Sequence, residues 1–271
     1  MNTAAAFPEK KDTPLPDTIK KAERRFPFLN IKKIMLTIEH LTKRYGDKTA
    51  VDDLSLSIAP GEIYGFIGPN GAGKTTTIKA CCGILQPDSG EIRIGGLSVR
   101  EEPLACKART AYLPDNPDLY DFMSGSQYLR FIADIFRIPT DIRKERIGRL
   151  AGMFELLDDL AQPISAYSHG MKQKLAVISA LMHEPKLFVM DEPFVGLDPK
   201  AAHTLKQLMR ELCDRGSAIF FSTHVLEVAE KLCDKIAIIQ NGKLIRSGSM
   251  EEVKGDESLE QVFLELEEES C

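Results

Sequence analysis

The stretch GPNGAGKTTT, residues 68–77, decides the fold class of this chain. It fills the pattern G-x-x-x-x-G-K-[ST]. It follows the segment SLSIAPGEIYGFI, which becomes a continuous apolar strand, and we expect a helix to start inside GKTTTIKACCGIL. Glycines allow a backbone to wrap closely around an anion, so that its N–H groups face phosphate oxygens, and the N-terminus of a helix adds partial positive charge. The stretch therefore predicts a nucleoside triphosphate site at the end of a buried strand.

The residue types in this loop suit different parts of that task. Lys74 is expected to reach the β and γ phosphates, and the Thr75 hydroxyl to ligate Mg²⁺. The residues expected to contact the nucleotide are Gly68, Pro69, Asn70, Gly71, Ala72, Gly73, Lys74, Thr75 and Thr76. A chance match is the alternative, and the strand before the loop and the helix after it argue against it. Kinases, GTPases, helicases and transporters share such loops, so the loop alone does not name the activity.

The composition is that of a soluble globular protein. Hydrophobic residues make up 43% of the chain, and 35 basic and 40 acidic residues leave a net charge of −5 without a long run of one sign, so a surface that coats nucleic acid is not indicated. The six cysteines show no C-x-x-C spacing, which fits a reducing cytoplasm. The apolar runs fall far short of a membrane-spanning helix, so any membrane association is expected to be peripheral.

The order of polar and apolar segments predicts three regions. Residues 1–34 lack periodicity and are expected to be disordered, with Met35 either the biological start or the end of a genuine flexible tail. Residues 35–255 form the main domain, and residues 256–271 a short C-terminal tail. Within the main domain, residues 116–167 are expected to form a mostly helical insert.

Buried apolar strands separated by helices imply parallel strands with right-handed crossovers. The expected fold class is α/β of the P-loop NTPase type: a mostly parallel sheet flanked by helices, with an N-terminal antiparallel β subdomain and the helical insert. Asn241 and Gly242 predict a hairpin, and Ser124 with Gln127 a capping box. The helix after Ser124 is expected to pack on a core through Tyr128, Phe131, Ile132, Ile135 and Phe136.

A second group of polar residues ends the strand KLFVMDEP, residues 186–193. Pro193 cannot continue a ladder, and two carboxylates at the end of an apolar strand cost solvation energy unless a cation or a proton transfer uses them. Because neighbouring side chains on a strand point to opposite sides, we expect different roles: Asp191 for Mg²⁺ and Glu192 for polarising the attacking water. Two solvated acids at a strand end are the alternative, which the phosphate loop upstream disfavours.

Together these residues resemble one family, the nucleotide-binding subunits of ABC transporters, over about residues 36–250. The segment YSHGMKQK, residues 167–174, is similar to the family signature LSGGQ, whose serine and second glycine fall on Ser168 and Gly170. In that family the signature caps a helix that is aimed at the γ-phosphate held by the partner subunit. The departures from the pattern are Tyr167, His169 and Met171. They keep the hydroxyl and the anion-binding backbone.

Other short segments extend the resemblance. VGLDP, residues 195–199, is similar to the D-loop, which implies a place for Asp198 near the dimer seam, and the end of FSTH matches the switch histidine at His224. Tyr45 resembles the aromatic residue that stacks on adenine, and Val51 the aliphatic residue that follows it. Taken alone, a tyrosine or a histidine at a strand end is usually structural. The other motifs in family order favour the functional assignment.

One position departs from the family in its charge. The glutamine loop is expected within AYLPDNPDLY, residues 111–120, where Asp115 stands at the glutamine position. An oxygen donor is kept, so Asp115 is a candidate Mg²⁺ contact that adds negative charge near the phosphates.

The resemblance implies an ATPase that is complete only as a pair, with ATP and Mg²⁺ between the phosphate loop of one subunit and the signature of another. Glu192 acts as the base in this scheme, and Lys74, His224 and Ser168 stabilise charge. The implied partners are integral membrane permease subunits and a second ATPase subunit, identical or different, with no nucleic acid.

The implied location is peripheral, at the cytoplasmic face of the cell membrane. The ending SLEQVFLELEEE is similar to that of exporters of drugs, peptides and lipids, which favours export. A soluble ABC-type ATPase without a transport role, and a regulatory subunit that binds ATP without hydrolysing it, are the alternatives.

Overall fold

The computed structural model describes residues 34–268, so the expectation of disorder for residues 1–34 falls almost entirely outside the described residues. The strands in this range are β1 Leu36–Tyr45, β2 Lys48–Ile58, β3 Ile63–Ile67, β4 Ser89–Ile94, β5 Leu97–Ser98, β6 Thr110–Leu113, β7 Leu187–Asp191, β8 Ala218–Thr223, β9 Lys235–Gln240 and β10 Lys243–Ser249. The α-helices are α1 Lys74–Cys81, α2 Pro103–Lys107, α3 Gly125–Ile135, α4 Thr140–Met153, α5 His169–Leu181, α6 Pro199–Asp214, α7 Leu226–Leu232, α8 Met250–Lys254 and α9 Leu259–Glu268.

Two sheets organise these elements. The larger has six strands in the order β10-β9-β3-β8-β7-β6, in which β3, β6, β7, β8 and β9 are parallel to their neighbours and β10 closes the edge antiparallel to β9. The smaller is antiparallel, in the order β2-β1-β4-β5. This is the P-loop NTPase fold with an antiparallel N-terminal sheet, as the sequence predicts.

The central strands of the larger sheet are apolar because both of their faces are covered. Every residue of β3, β7 and β8 is buried. Alternate residues therefore serve two cores: Phe188 and Phe221 pack toward the helices, whereas Val189 and Phe220 pack toward the smaller sheet. The loops after these strands lie at one edge of the sheet, where polar residues can meet.

Helices α3 and α4 both lie within residues 116–167. Ser124 caps α3, since its side chain accepts a hydrogen bond from the backbone of Gln127 while Gln127 bonds back to the Ser124 backbone. The expectation that all five apolar side chains on α3 face the core is wrong for two of them. Phe131 and Ile135 are 37% and 57% exposed, because Leu129 and Ala133 occupy the buried face instead.

The C-terminal part of the described chain continues the fold. The predicted hairpin forms at Asn241, which adopts a φ of 50°, and Gly242. Helix α9 lies within residues 256–268 and buries Leu259 and Val262 in the core. Among residues 34–268, the helices do not combine the length and apolar character needed to cross a membrane.

Candidate functional site

The loop between β3 and α1 requires glycine at two positions, because an added Cβ atom would collide with backbone there. Gly73 has a φ of 108°, and a Cβ atom there would lie 2.3 Å from the carbonyl oxygen of Ala50. At Gly68 an added Cβ would lie 2.2 Å from the carbonyl oxygen of Ile239. Both conflicts are with backbone, which cannot move aside as a flexible side chain can, so the loop curves tightly at the carboxyl end of β3.

The side chain of Lys74 lies across the mouth of this loop. Its Nζ donates hydrogen bonds to the carbonyl oxygens of Gly68, at 2.6 Å, and Pro69, at 3.2 Å, and it lies 3.8 Å from Oε1 of Glu192. Burial lowers the pKa of Lys74, while the nearby carboxylates of Glu192 and Asp191 act in the opposite direction. The ammonium group is thus held at the loop by carbonyls that a phosphate can replace.

Asp191 and Thr75 form an oxygen pair beside the lysine. The Thr75 hydroxyl donates to Oδ2 of Asp191 at 2.6 Å, and the Ser222 hydroxyl donates to Oδ1 of the same carboxylate. A hydroxyl and a carboxylate are the hard oxygen donors that Mg²⁺ accepts, so the residues fit such an ion. Residues 34–268 hold no cluster of three or more acids, histidines or cysteines placed to bind a metal ion by themselves. Phosphate oxygens and water would have to complete the coordination.

Glu192 contacts different partners from Asp191, as predicted. The reason is not the alternation of side chains along a strand, because Glu192 lies beyond the end of β7. Strand β7 ends at Asp191, and the backbone of Glu192 turns with a φ of 48°, in the left-handed region. The turn brings Oε1 of Glu192 to 3.0 Å from Nδ1 of His224, the residue after β8. Glu192 is held more firmly than a solvated acid, because its backbone N–H also bonds to the Ser222 hydroxyl at 3.2 Å.

A cleft of about 340 Å³ collects most of the predicted residues. Those of its lining that the sequence analysis selects are Tyr45, Asn70, Gly71, Gly73, Lys74, Thr75, Thr76, Asp115, Asp191 and Glu192. Val51 is fully buried beneath Gly73 and supports the loop from below. Lys48 and Ala50 also line the cleft and are not among the residues predicted from the sequence. Lys48 is opposite Tyr45 in the β1–β2 pair, so the β-turn between the two strands was the available signal.

Asp115 lines the same cleft from the loop after β6. Burial, followed by the charges of Asp191 and Glu192, raises its pKa, while His169 and His224 lower it. Three carboxylates thus lie in one electrostatic environment, which a cation would stabilise.

The signature-like residues lie at the N-terminus of α5. Ser168 is the N-cap, and its hydroxyl accepts a hydrogen bond from the backbone of Met171 at 3.2 Å. In the described chain neither Ser168 nor Gly170 lines the cleft. Tyr167 explains one departure from the family pattern, because its ring is buried and its hydroxyl donates to the carbonyl oxygen of Asp159 at 2.8 Å.

The segment after Glu192 contacts the same helix. Asp198 caps α6 by accepting from the backbone of Ala201 at 2.8 Å, and it forms an ion pair with Lys174 of α5 at 2.7 Å. The hydrogen bond from Lys174, followed by that from Ala201, lowers the pKa of Asp198. Lys174 was not selected from the sequence, since nothing in its local pattern marks it.

A glycine-rich loop after one buried parallel strand, with acids at the end of another, defines a nucleoside triphosphate-binding protein of the P-loop class. Within that class the chain belongs to the ABC transporter ATP-binding family: the family model described as ABC transporter matches residues 51–195.

Individual relatives agree with this assignment. The chain is 36% identical to "Uncharacterized ABC transporter ATP-binding protein YhcH" of Bacillus subtilis (strain 168), over 88% of this chain and 77% of that protein. It is 36% identical to "Nod factor export ATP-binding protein I" of Ralstonia nicotianae, over 81% of this chain and 68% of that protein. A solved structure described as the ATP binding subunit of an ABC transporter is 33% identical, with a TM-score of 0.83 over 86% of this chain and 99% of that chain.

Proposed function

We propose that this chain is the ATP-hydrolysing subunit of an ABC transporter, active as a head-to-tail pair beneath a separate membrane permease. The observation that supports hydrolysis is the position of the Glu192 carboxylate, which contacts His224 on one side and approaches Lys74 of the phosphate loop on the other. A base beside a phosphate-binding lysine has the geometry needed to activate water next to a γ-phosphate.

Each residue of the cleft has its own role in binding or hydrolysing ATP. Tyr45 stacks on the base, and the glycine loop and Lys74 bind the phosphates, the lysine exchanging its two carbonyl partners for phosphate oxygens. Thr75 and Asp191 would hold Mg²⁺, which offsets the negative charge of the triphosphate, with Asp115 as a further candidate contact. Glu192 takes a proton from the attacking water, and His224 orients that carboxylate and contacts the γ-phosphate.

The position of the signature supports the proposed pairing of two chains. Ser168 is exposed at the N-terminus of a 13-residue helix, and it does not line the cleft of its own chain. The N-terminus of a helix attracts anions, so this one suits a phosphate held by a second chain, identical or different. In a symmetric pair, the N-terminus of α5 in each chain would cover the cleft of the other chain, so both clefts would close together.

The permease contact is proposed at the exposed aromatic side chains beside α3. Tyr120 lies 5.8 Å from Phe122 and 5.7 Å from Phe131 between ring centroids, and Phe122 is 80% exposed. Exposed aromatic groups of this kind mark protein interaction sites. Such a contact places the chain at the cytoplasmic face of the membrane, and the name of the Ralstonia relative supports export as the direction.

Hydrolysis is tested on the purified full chain with ATP and Mg²⁺, with phosphate release as the readout. We expect turnover that stops when Mg²⁺ is chelated and that is absent from a Glu192→Gln chain prepared in parallel. ATP binding without phosphate release by the wild type would instead identify a regulatory subunit.

The transport role is tested separately, by identifying the membrane protein that crosslinks at Phe122. Crosslinking to a soluble complex at that residue would favour an ATPase without a transport role.

A further inference from the structure

The signature helix contains a buried side chain whose polar atoms have no partner. Gln173 of α5 is 0% exposed, and among residues 34–268 neither its Oε1 nor its Nε2 forms a hydrogen bond. An amide that is buried without partners destabilises the conformation that contains it. A conformation in which the amide is bonded would gain stability relative to this one.

The same helix is attached to the segment that follows Glu192. A Cβ atom added to Gly196 would lie 2.6 Å from the ring of His169, and one added to Gly170 would lie 3.1 Å from the carbonyl oxygen of Gly196. One helical turn further on, Lys174 is paired with Asp198 at 2.7 Å. Helix α5 and residues 196–198 are therefore in direct contact at three points.

Gln173 lies on the side of α5 that makes these contacts. Successive residues of an α-helix are separated by about 100°, so Gln173 is about 40° from His169 and about 100° from Lys174 around the helix axis. Gln173 thus falls within the arc of α5 that contacts Gly196 and Asp198. Leu175 and Val177 are buried too, but as apolar residues of the main core they need no hydrogen bonds.

The facing segment has the groups that an amide needs. Its backbone is irregular, with local hydrogen bonds from Val195 to Glu192, at 3.1 Å, and from Leu197 to Phe194, at 3.4 Å. A loop of this kind offers both N–H donors and carbonyl acceptors when its backbone rotates, whereas a regular helix or strand uses them internally. An amide has one donor end and one acceptor end, so a small shift of this segment can satisfy both.

We propose that Gln173 is a positioning residue for hydrolysis. In the paired, ATP-bound form its amide bonds to the backbone of residues 193–197 and holds that segment, and with it the adjoining Glu192, in the orientation used for attack on the γ-phosphate. This inference rests on the proposed function. The unpartnered amide destabilises the conformation described here and thereby favours the paired, ATP-bound form, in which the amide is bonded.

Replacement of Gln173 by Met tests the inference, because methionine has a similar length and no polar ends. We expect the melting temperature of Gln173→Met without nucleotide to rise by about 2–4 °C, since a buried unpaired amide is removed. We expect its maximal turnover to fall about tenfold, the loss of one hydrogen bond in the transition state, with an unchanged Kd for ATP. Gln207→Met, at an exposed site on α6, is the matched control and should change neither quantity.

A rise in stability combined with a loss of turnover is not expected from a residue that only fills the core. For a Gln173→Met chain that folds, a melting temperature below that of the wild type, or turnover equal to that of the wild type, would overturn the inference. If Gln173→Met does not fold, hydrogen exchange of residues 193–198 in the Glu192→Gln chain decides: slower exchange with ATP and Mg²⁺ is expected, and unchanged exchange overturns it. If the wild type does not hydrolyse ATP, both the proposed function and this inference fail. If the wild type hydrolyses ATP and Gln173→Met does so equally well, only this inference fails.

Discussion

Glu192 combines the proposed catalytic carboxylate with a backbone conformation that residues other than glycine rarely adopt. Its φ of 48° lies in the left-handed region, where a residue other than glycine costs free energy unless its surroundings hold it. Here the Ser222 hydroxyl holds the Glu192 backbone N–H, and His224 contacts the carboxylate. The conformation turns the acid out of the plane of β7 and toward the phosphate loop.

Replacement of Glu192 by Gln keeps the shape of the side chain and removes the base. We expect turnover to fall at least about a hundredfold, the usual contribution of general base catalysis, while ATP still binds. Phosphate release and the binding of a fluorescent ATP analogue measure the two effects. Glu145→Gln, at an exposed position on α4, is the control. Steady-state turnover unchanged in Glu192→Gln would remove Glu192 from the mechanism.

Lys74 is expected to act mainly in binding. Its ammonium group is buried and carries the positive charge nearest to the loop carbonyls of Gly68 and Pro69. Lys74→Ala should weaken ATP binding by about tenfold or more, because a charge-assisted hydrogen bond to phosphate is lost. Lys79→Ala, at an exposed site on the same helix, should bind ATP as the wild type does. Titration calorimetry measures both, and tight binding by Lys74→Ala would contradict the assignment of the loop.

At this scale the sequence predicts residues that are adjacent along the chain better than residues that fold together. The residue types in two short motifs already predict their chemistry: Lys74 and Thr75 in one, Asp191 and Glu192 in the other. The partner of Asp191 on β8, Ser222, comes from a strand 31 residues away. A single serine in an apolar strand has no local signal, so only the parallel pairing of β7 with β8 reveals it.

At the scale of elements, the alternation of apolar strands with helices predicts the parallel sheet because strands covered on both faces must be apolar throughout. The face of a helix is harder to predict. Phe131 and Ile135 fall on the predicted stripe of α3 but are exposed, since Leu129 and Ala133 form the buried face of this helix instead. An apolar stripe does not by itself distinguish a core from a contact surface.

His183 joins three elements behind the site. Its ring stacks on Phe136 at the end of α3, with 3.8 Å between ring centroids, and its Nε2 lies 3.2 Å from the carbonyl oxygen of Thr110 on β6. Burial lowers the pKa of His183 to about 4, the hydrogen bond with Thr110 opposes the shift, and the charge of Arg146 on α4 adds to it. The junction therefore depends on a neutral imidazole.

The junction should weaken as the pH falls. Between pH 6.5 and about pH 4 the unfolded chain binds a proton at this histidine and the folded chain does not, so acid favours unfolding. We expect His183→Leu to lose less stability than the wild type between pH 7 and pH 5, with a difference of up to about 2 kcal/mol. Denaturant unfolding at both pH values measures it. His203→Gln, at an exposed position on α6, should follow the wild type, and identical pH dependence for His183→Leu would contradict the assignment.

At the scale of the whole molecule, the phosphate loop and the signature lie on different parts of the surface. The cleft mouth includes Lys74 and Thr75, whereas Ser168 caps α5 outside the cleft lining. Under the proposed pairing, a single chain would supply one half of each site. The sequence indicates this only through the resemblance to a family, because no local pattern records which surface a second chain covers.

Mixing two inactive chains tests the pairing. Lys74→Ala removes the phosphate contact, and Ser168→Asp keeps the N-cap of α5 but sets a negative charge against the γ-phosphate. At an ATP concentration well below the Kd of the Lys74→Ala chain for ATP, we expect each variant alone to have little turnover and an equal mixture to regain about a quarter of wild-type turnover, since a mixed pair holds one intact site. Phosphate release across a dilution series measures it. A mixture as inactive as its components would contradict head-to-tail pairing.

The position of β3 has a consequence for how the protein is made. This strand ends at the phosphate loop, yet its neighbours on either side are β8 and β9, which are completed only at Thr223 and Gln240. A nascent chain that has left the ribosome as far as residue 217 contains the whole glycine loop and both acids, but the strand before the loop has neither neighbour to pair with. We therefore expect the phosphate loop to reach its folded shape only after β8 and β9, far along the chain from β3, have been synthesised.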